Sequence, residues 1–410
     1  MTLPKPSSAF TIPSVHDDLE LDCRVYYPRF SNSKLFGRAF AILAHPYATL
    51  GGCYDDPVVG SVGSTLLQNG ITVGTFNFRG AGDSAGRTSW TGRPELTDYV
   101  SFYGFMLCCI STLERDAEIS SLEKPTGRPP LLILGGYSYG SLIASCLPPT
   151  EFVSQLFDAV AEDSAEAEIK SRAEKTARDL GAYFEMLRDG SIGRGRSSLR
   201  VPGPVSPTKR GIAMGGYDSE AASRRISRES SRRSLDGDRV RRSLDRARQR
   251  LRSRVSSDQY PSTPTAPPSR QGEQVEVVRP DVAYLLISPL LPPISGFTVM
   301  FSKPTFEKRD PKTGRIAVKD NSNRDQKFTD HPTCFIYGRR DGFTSSSKLG
   351  KWANELHQKA SSTFSSYEVD EAGHFWAEKG ATGRLQSSVK DWLAIIEQSQ
   401  VRERGSGAKG

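Results

Sequence analysis

The run Leu131-Leu-Ile-Leu-Gly-Gly-Tyr-Ser-Tyr-Gly-Ser-Leu-Ile-Ala144 sets one serine, Ser138, midway between two glycines. The segment before it is aliphatic and reads as a strand; the segment after it reads as a short helix. Glycines at 136 and 140 permit a sharp strand-to-helix turn. Such a turn projects the serine Oγ beyond the backbone, and the helix amides behind it favour developing negative charge. A serine held this way can attack an acyl carbonyl, provided that a base and an orienting acid reach it.

In chains that use this turn the order is serine, acid, histidine. Of the five histidines, His16 and His45 precede the serine. His331 comes at the start of a predicted strand, the wrong end for ligand chemistry in a parallel sheet. His357 falls within a predicted helix. His374 follows a strand ending near Val369, at the carboxyl edge, and is the expected base. Asp341, at the end of the preceding strand, is the expected acid; it would fix the imidazole tautomer. Asp370 is the alternative, only four residues from His374. An oxyanion needs two backbone N–H donors. Tyr139, next to the serine, supplies one. The other should come from the loop 45–52, where Pro46 has no N–H. Tyr47 is the expected donor and Ala48 the alternative.

Elements in the right order exist to position these groups. Residues 19–27 alternate apolar and polar, as in a half-buried, antiparallel strand. Short apolar runs at 39–44, 71–78, 131–134, 282–287, 333–337 and 363–369 read as strands buried on both faces. Helical patterns at 57–68, 95–113, 141–147, 345–359 and 382–397 separate several of them. Strands alternating with helices point to a mostly parallel sheet covered on both sides.

The 410 residues are 36% apolar, low for a globular chain, and the dilution is local. Residues 191–260 hold 18 Lys and Arg against 7 Asp and Glu, a net of +11. The whole chain carries +8, so the remainder sums to −3 and the basic pI belongs to one stretch. The insertion spans 149–278. Its part 151–188 is compatible with helix. Its part 190–272, rich in Arg, Ser, Pro and Gly, is expected to be disordered. Within it Arg224-Arg225-Ile226-Ser227, Arg232-Arg233-Ser234 and Arg241-Arg242-Ser243 place arginines upstream of serine. Basophilic kinases favour that arrangement, and each phosphate would add about −1.5 to −2 charges. A solvated linker without a partner is the alternative. Nucleic-acid binding is disfavoured because no stacking aromatics interleave the arginines. The tail 399–410 is likewise expected to be disordered.

The six cysteines lack metal-ligand spacing and read as free thiols. No secretory leader and no apolar run near the roughly 20 residues of a membrane span is evident. A cytoplasmic protein is the expectation.

Taken together, His45-Pro46 with Gly51-Gly52, Phe78-Arg-Gly-Ala-Gly-Asp-Ser-Ala-Gly86, Gly136-Tyr-Ser-Tyr-Gly140 and Gly373-His-Phe375 resemble the α/β-hydrolase superfamily. The resemblance is to its dienelactone-hydrolase-like and prolyl-oligopeptidase-like branch, over residues 20–148 and 280–398. It implies an α/β-hydrolase fold in two parts, 1–148 and 279–398, interrupted by the basic insertion. It also implies cofactor-free serine-hydrolase chemistry but no particular substrate, since this fold serves esters, thioesters, peptides and more; a small-molecule acyl substrate is the expectation. Dienelactone hydrolases themselves use cysteine; serine here favours ester or thioester work. The segment 288–301 stands where this fold commonly carries a cap. Leu290, Leu291, Ile294, Phe297 and Met300 would either line an acyl pocket or pack on the sheet. The competing expectation is a non-catalytic protein of the same fold that binds partners through its basic segment.

Overall fold

A computed structural model of the chain describes residues 2–29, 33, 35–120, 129–158, 160–188, 279–292, 295, 296, 299, 304–309, 316–319 and 324–407. All of them belong to a unit built from Met1–Ser191 and Val275–Gly410. The basic segment, with Ser227, Ser234 and Ser243, lies outside the described residues, as do Ile294, Phe297 and Met300.

In chain order the elements are β1 (Ser8–Pro13), β2 (Glu20–Tyr26), β3 (Ala39–Ala44), α1 (Pro57–Gln68), β4 (Thr72–Phe76), α2 (Arg93–Ser120), β5 (Leu131–Tyr137) and α3 (Tyr139–Ala144). There follow α4 (Thr150–Asp158), α5 (Ala165–Arg188), β6 (Asp281–Ile287), a small hairpin of β7 (Glu307–Arg309) and β8 (Ile316–Lys319), and α6 (Arg324–Asp330). The chain continues through β9 (Thr333–Gly338), α7 (Ser346–Lys359), β10 (Phe364–Val369) and α8 (Ala381–Gly407). Eight strands form one sheet in the order β1-β2-β4-β3-β5-β6-β9-β10. β2 pairs antiparallel with both neighbours, and the six strands from β4 to β10 pair in parallel.

The double burial follows from period two. Phe40, Ile42, Leu132, Leu134, Tyr284 and Leu286 face one core, with α2 to α7 over it. Ala41, Leu43, Ile133, Leu285 and Ile336 face the other, under α1 and α8. Removing a large side chain from either layer costs about 2–5 kcal/mol, because the cavity is only partly refilled.

Several expectations shift. β1 went unforeseen. The helical reading of 151–188 matches α4 and α5, and both sit in the main core: Val153, Phe157, Ile169, Ala173 and Leu180 are buried there. That part of the insertion is thus a layer of the main folded unit. Residues 93–117 of α2 are long and apolar enough to span a membrane by length and composition alone, yet 83% of their most apolar stretch is buried inside the protein, as in a core helix. Leu290 packs into the core, with Leu291 half-buried against it. All six cysteines are unpaired.

Candidate active site

β5 ends at Tyr137 and α3 begins at Tyr139, leaving Ser138 alone in the turn with φ 55° and ψ −114°. A left-handed φ is costly for a side-chain-bearing residue, on the order of 1–3 kcal/mol. The flanking glycines explain how it is tolerated. A Cβ on Gly136 would come within 2.4 Å of the Gly140 backbone, and one on Gly140 within 2.4 Å of the Ala44 carbonyl oxygen. The Ser138 N–H donates to Ile287 O at 2.9 Å, anchoring the turn to β6.

Two further parallel strands, β9 and β10, deliver the remaining groups to the same sheet edge. Asp341 lies on the loop after β9 and His374 on the loop after β10. Ser138 Oγ is 2.8 Å from His374 Nε2. His374 Nδ1 is 2.7 Å from Asp341 Oδ2. All three residues are buried. The other carboxylate oxygen, Asp341 Oδ1, accepts from the N–H groups of Phe343 at 2.8 Å and Thr344 at 3.0 Å. Both oxygens are therefore occupied, which holds the carboxylate plane against the imidazole. The Tyr137 hydroxyl donates to His374 O at 2.8 Å, and the Phe343 ring lies 4.3 Å from the imidazole. These contacts fix the histidine loop. Neither had a signature in the sequence beyond proximity to the motif.

The alternatives are elsewhere. Asp370 is exposed and pairs with Arg339 Nη1 at 2.9 Å. His331 sits at the far edge, before β9, with burial pushing its pKa down. His16 and His357 are exposed.

Tyr47 precedes a single turn of 3-10 helix, Ala48–Leu50. Its ring centroid is 5.0 Å from that of Tyr139. Neither backbone N–H, of Tyr47 or Tyr139, donates to an acceptor among the described residues. The N–H of Ala48, the first residue of the 3-10 turn, likewise donates to no acceptor among the described residues. The Leu50 N–H, by contrast, is taken by Tyr47 O. No group of His, Cys, Asp and Glu among the described residues is arranged to hold a metal ion.

No family model matches the chain, and no curated protein matches it. Among solved structures it is similar to an α/β serine hydrolase without a lid from Xanthomonas campestris, at 14% identity and a TM-score of 0.41, over 97% of each chain. It is also similar to an α/β serine hydrolase homologue from Coxiella burnetii, at 14% identity and 0.39, over 95% of this chain and 99% of that one. A third is Est1E from Butyrivibrio proteoclasticus with bound ferulic acid, at 12% identity and 0.40, over 94% and 98%. By its own strand order, its single reversed strand β2 and the turn after β5, this chain has the α/β-hydrolase fold.

Proposed function

We propose that the protein is a serine hydrolase that cleaves an ester or thioester of a small molecule through an acyl-enzyme. The observation that carries this reading is the continuous hydrogen-bonded chain from Ser138 Oγ through His374 to Asp341, at 2.8 and 2.7 Å. His374 Nε2 accepts the Ser138 proton as Oγ bonds to the substrate carbonyl carbon. The carbonyl oxygen becomes an anion beside the N–H groups of Tyr139 and Tyr47. Asp341 stabilises the imidazolium. The proton then passes to the leaving oxygen or sulfur, which departs as alcohol or thiol. Water repeats the sequence on the acyl-enzyme, releasing the carboxylic acid and restoring Ser138.

An apolar acyl group suits the surroundings. Leu50, Trp90 and Phe375 are strongly exposed large apolar residues, and they lie on the loops that follow β3, β4 and β10. Those loops leave the sheet at the edge where Ser138 sits. Isolated exposed apolar residues are ordinary, but three on the loops of one edge favour an apolar ligand.

Turnover of p-nitrophenyl esters of graded chain length tests the reading. Hydrolysis by the wild type and its loss in Ser138→Ala support it. No hydrolysis with any chain length or thioester, in a folded protein, leaves the non-catalytic alternative.

A further inference from the structure

We propose that His45 is a positioning residue of the oxyanion site, clamping the Pro46 carbonyl so that the Tyr47 N–H is presented to the substrate oxygen. The proposal rests on the hydrolase reading above.

His45 is fully buried directly after β3. Its Nδ1 lies 2.6 Å from Pro46 O, and its Nε2 lies 2.9 Å from the Phe78 nitrogen. A carbonyl only accepts and an amide N–H only donates. The ring is therefore neutral, with its proton on Nδ1 and a bare Nε2. Burial pushes its pKa down to about 4, so the neutral form persists through the ordinary pH range. One imidazole thus ties the loop after β3 to the loop after β4.

The bond to Pro46 O governs the next amide. Pro46 C=O and Tyr47 N–H share one peptide plane and, in the trans form, point in opposite directions. Holding the carbonyl on the imidazole turns the Tyr47 N–H away from it. The carbonyl is also confined from Gly52, where a Cβ would lie 2.2 Å from Pro46 O. Tyr47 O is taken by the N–H groups of Leu50 and Gly52, both at 3.1 Å. The Tyr47 N–H is left without an acceptor among the described residues, on the loop that backs onto the elbow. At that point a Cβ on Gly140 would meet His45 O at 2.7 Å. Without the imidazole, the peptide could rotate and set a carbonyl oxygen where the oxyanion forms, turning attraction into repulsion.

His45→Phe keeps a ring in the cavity and deletes both hydrogen bonds. Losing one oxyanion donor costs about 10²–10³ in kcat, so a fall of that size with little change in KM is expected. Affinity for an alkylboronic acid, which forms a tetrahedral adduct on serine, should fall in parallel. Affinity for the product carboxylate should not. A role confined to stability would lower the unfolding midpoint without that selective loss, and would overturn the proposal. So would a folded His45→Phe with wild-type kcat and boronate affinity. Should His45→Phe not fold, ¹⁵N NMR of the wild-type imidazole decides. Protonated Nδ1 with bare Nε2 at neutral pH supports the clamp; the opposite tautomer overturns it. A wild type that neither hydrolyses esters nor reacts with a fluorophosphonate would sink the hydrolase reading and this inference together. An active wild type matched by His45→Phe would sink the inference alone.

Discussion

Asp341 meets His374 with one carboxylate oxygen, 2.7 Å from Nδ1, while its other oxygen is held by two backbone amides of its own loop. Asp370, nearer in sequence, faces Arg339 in solvent. Strand position, not sequence distance, thus sets which carboxylate meets His374. Asp341→Asn should lower kcat by about 10²–10⁴, by analogy with the loss of tautomer control in other triads. Asp370→Asn should leave kcat within about twofold, since an exposed ion pair contributes little. Steady-state kinetics on the best ester checks both, and a severe Asp370→Asn with a silent Asp341→Asn would reverse the assignment.

Ser138 carries the strain of the elbow at φ 55°. Glycine adopts that conformation freely. Ser138→Gly should therefore be more stable than Ser138→Ala by roughly 1 kcal/mol, although neither hydrolyses ester. Urea midpoints compare the two directly. A Ser138→Gly protein less stable than Ser138→Ala would mean the backbone there is unstrained.

Much of this arrangement could be read from the chain because its signals are local. Continuous aliphatic runs marked β3, β5 and β6, since both their faces are covered. Chain order sets aside His16 and His45, a helical position His357 and the wrong sheet edge His331, leaving His374, and the structure sets its Nε2 beside Ser138 Oγ. What escaped was fixed by tertiary partners. β1, Ser-Ala-Phe-Thr-Ile-Pro, is a short edge strand that exists through its pairing with β2. α4 and α5 look surface-like in composition, yet bury one stripe each against α2. His45 precedes the serine and so stands outside the serine, acid, histidine order. Its partners are a backbone carbonyl and a backbone amide, which no side-chain pattern announces.

The packing of α5 has a measurable consequence. Leu180 is wholly buried in the main core. Leu180→Ala should cost about 2–5 kcal/mol, read as a lower denaturation midpoint with the same denaturant slope. A change under about 0.5 kcal/mol, the scale of an ordinary surface substitution, would show that residues 165–188 are an appendage.

His45 also links stability to pH. Its pKa is pushed down to about 4 by burial, from an ordinary 6.5. Between those values the unfolded chain binds the extra proton. The contribution is therefore complete above pH 6.5, falls as pH drops toward 4, and levels off below. Its span is on the order of 3 kcal/mol. Unfolding free energies of the wild type and His45→Gln, compared at pH 7 and pH 4.5, isolate it. The wild type should lose more stability on acidification than the variant. Equal losses would mean that the ring is protonated in the fold.

Covalent labelling tests the central claim most directly. A fluorophosphonate requires a serine activated by its base, and needs no knowledge of the natural substrate. Incubation of the intact protein followed by peptide mass spectrometry should place one adduct on Ser138. Ser138→Ala should take up none, and His374→Ala should react far more slowly. A folded wild-type protein that stays unlabelled, or a Ser138→Ala protein labelled as fast as wild type, would contradict the account.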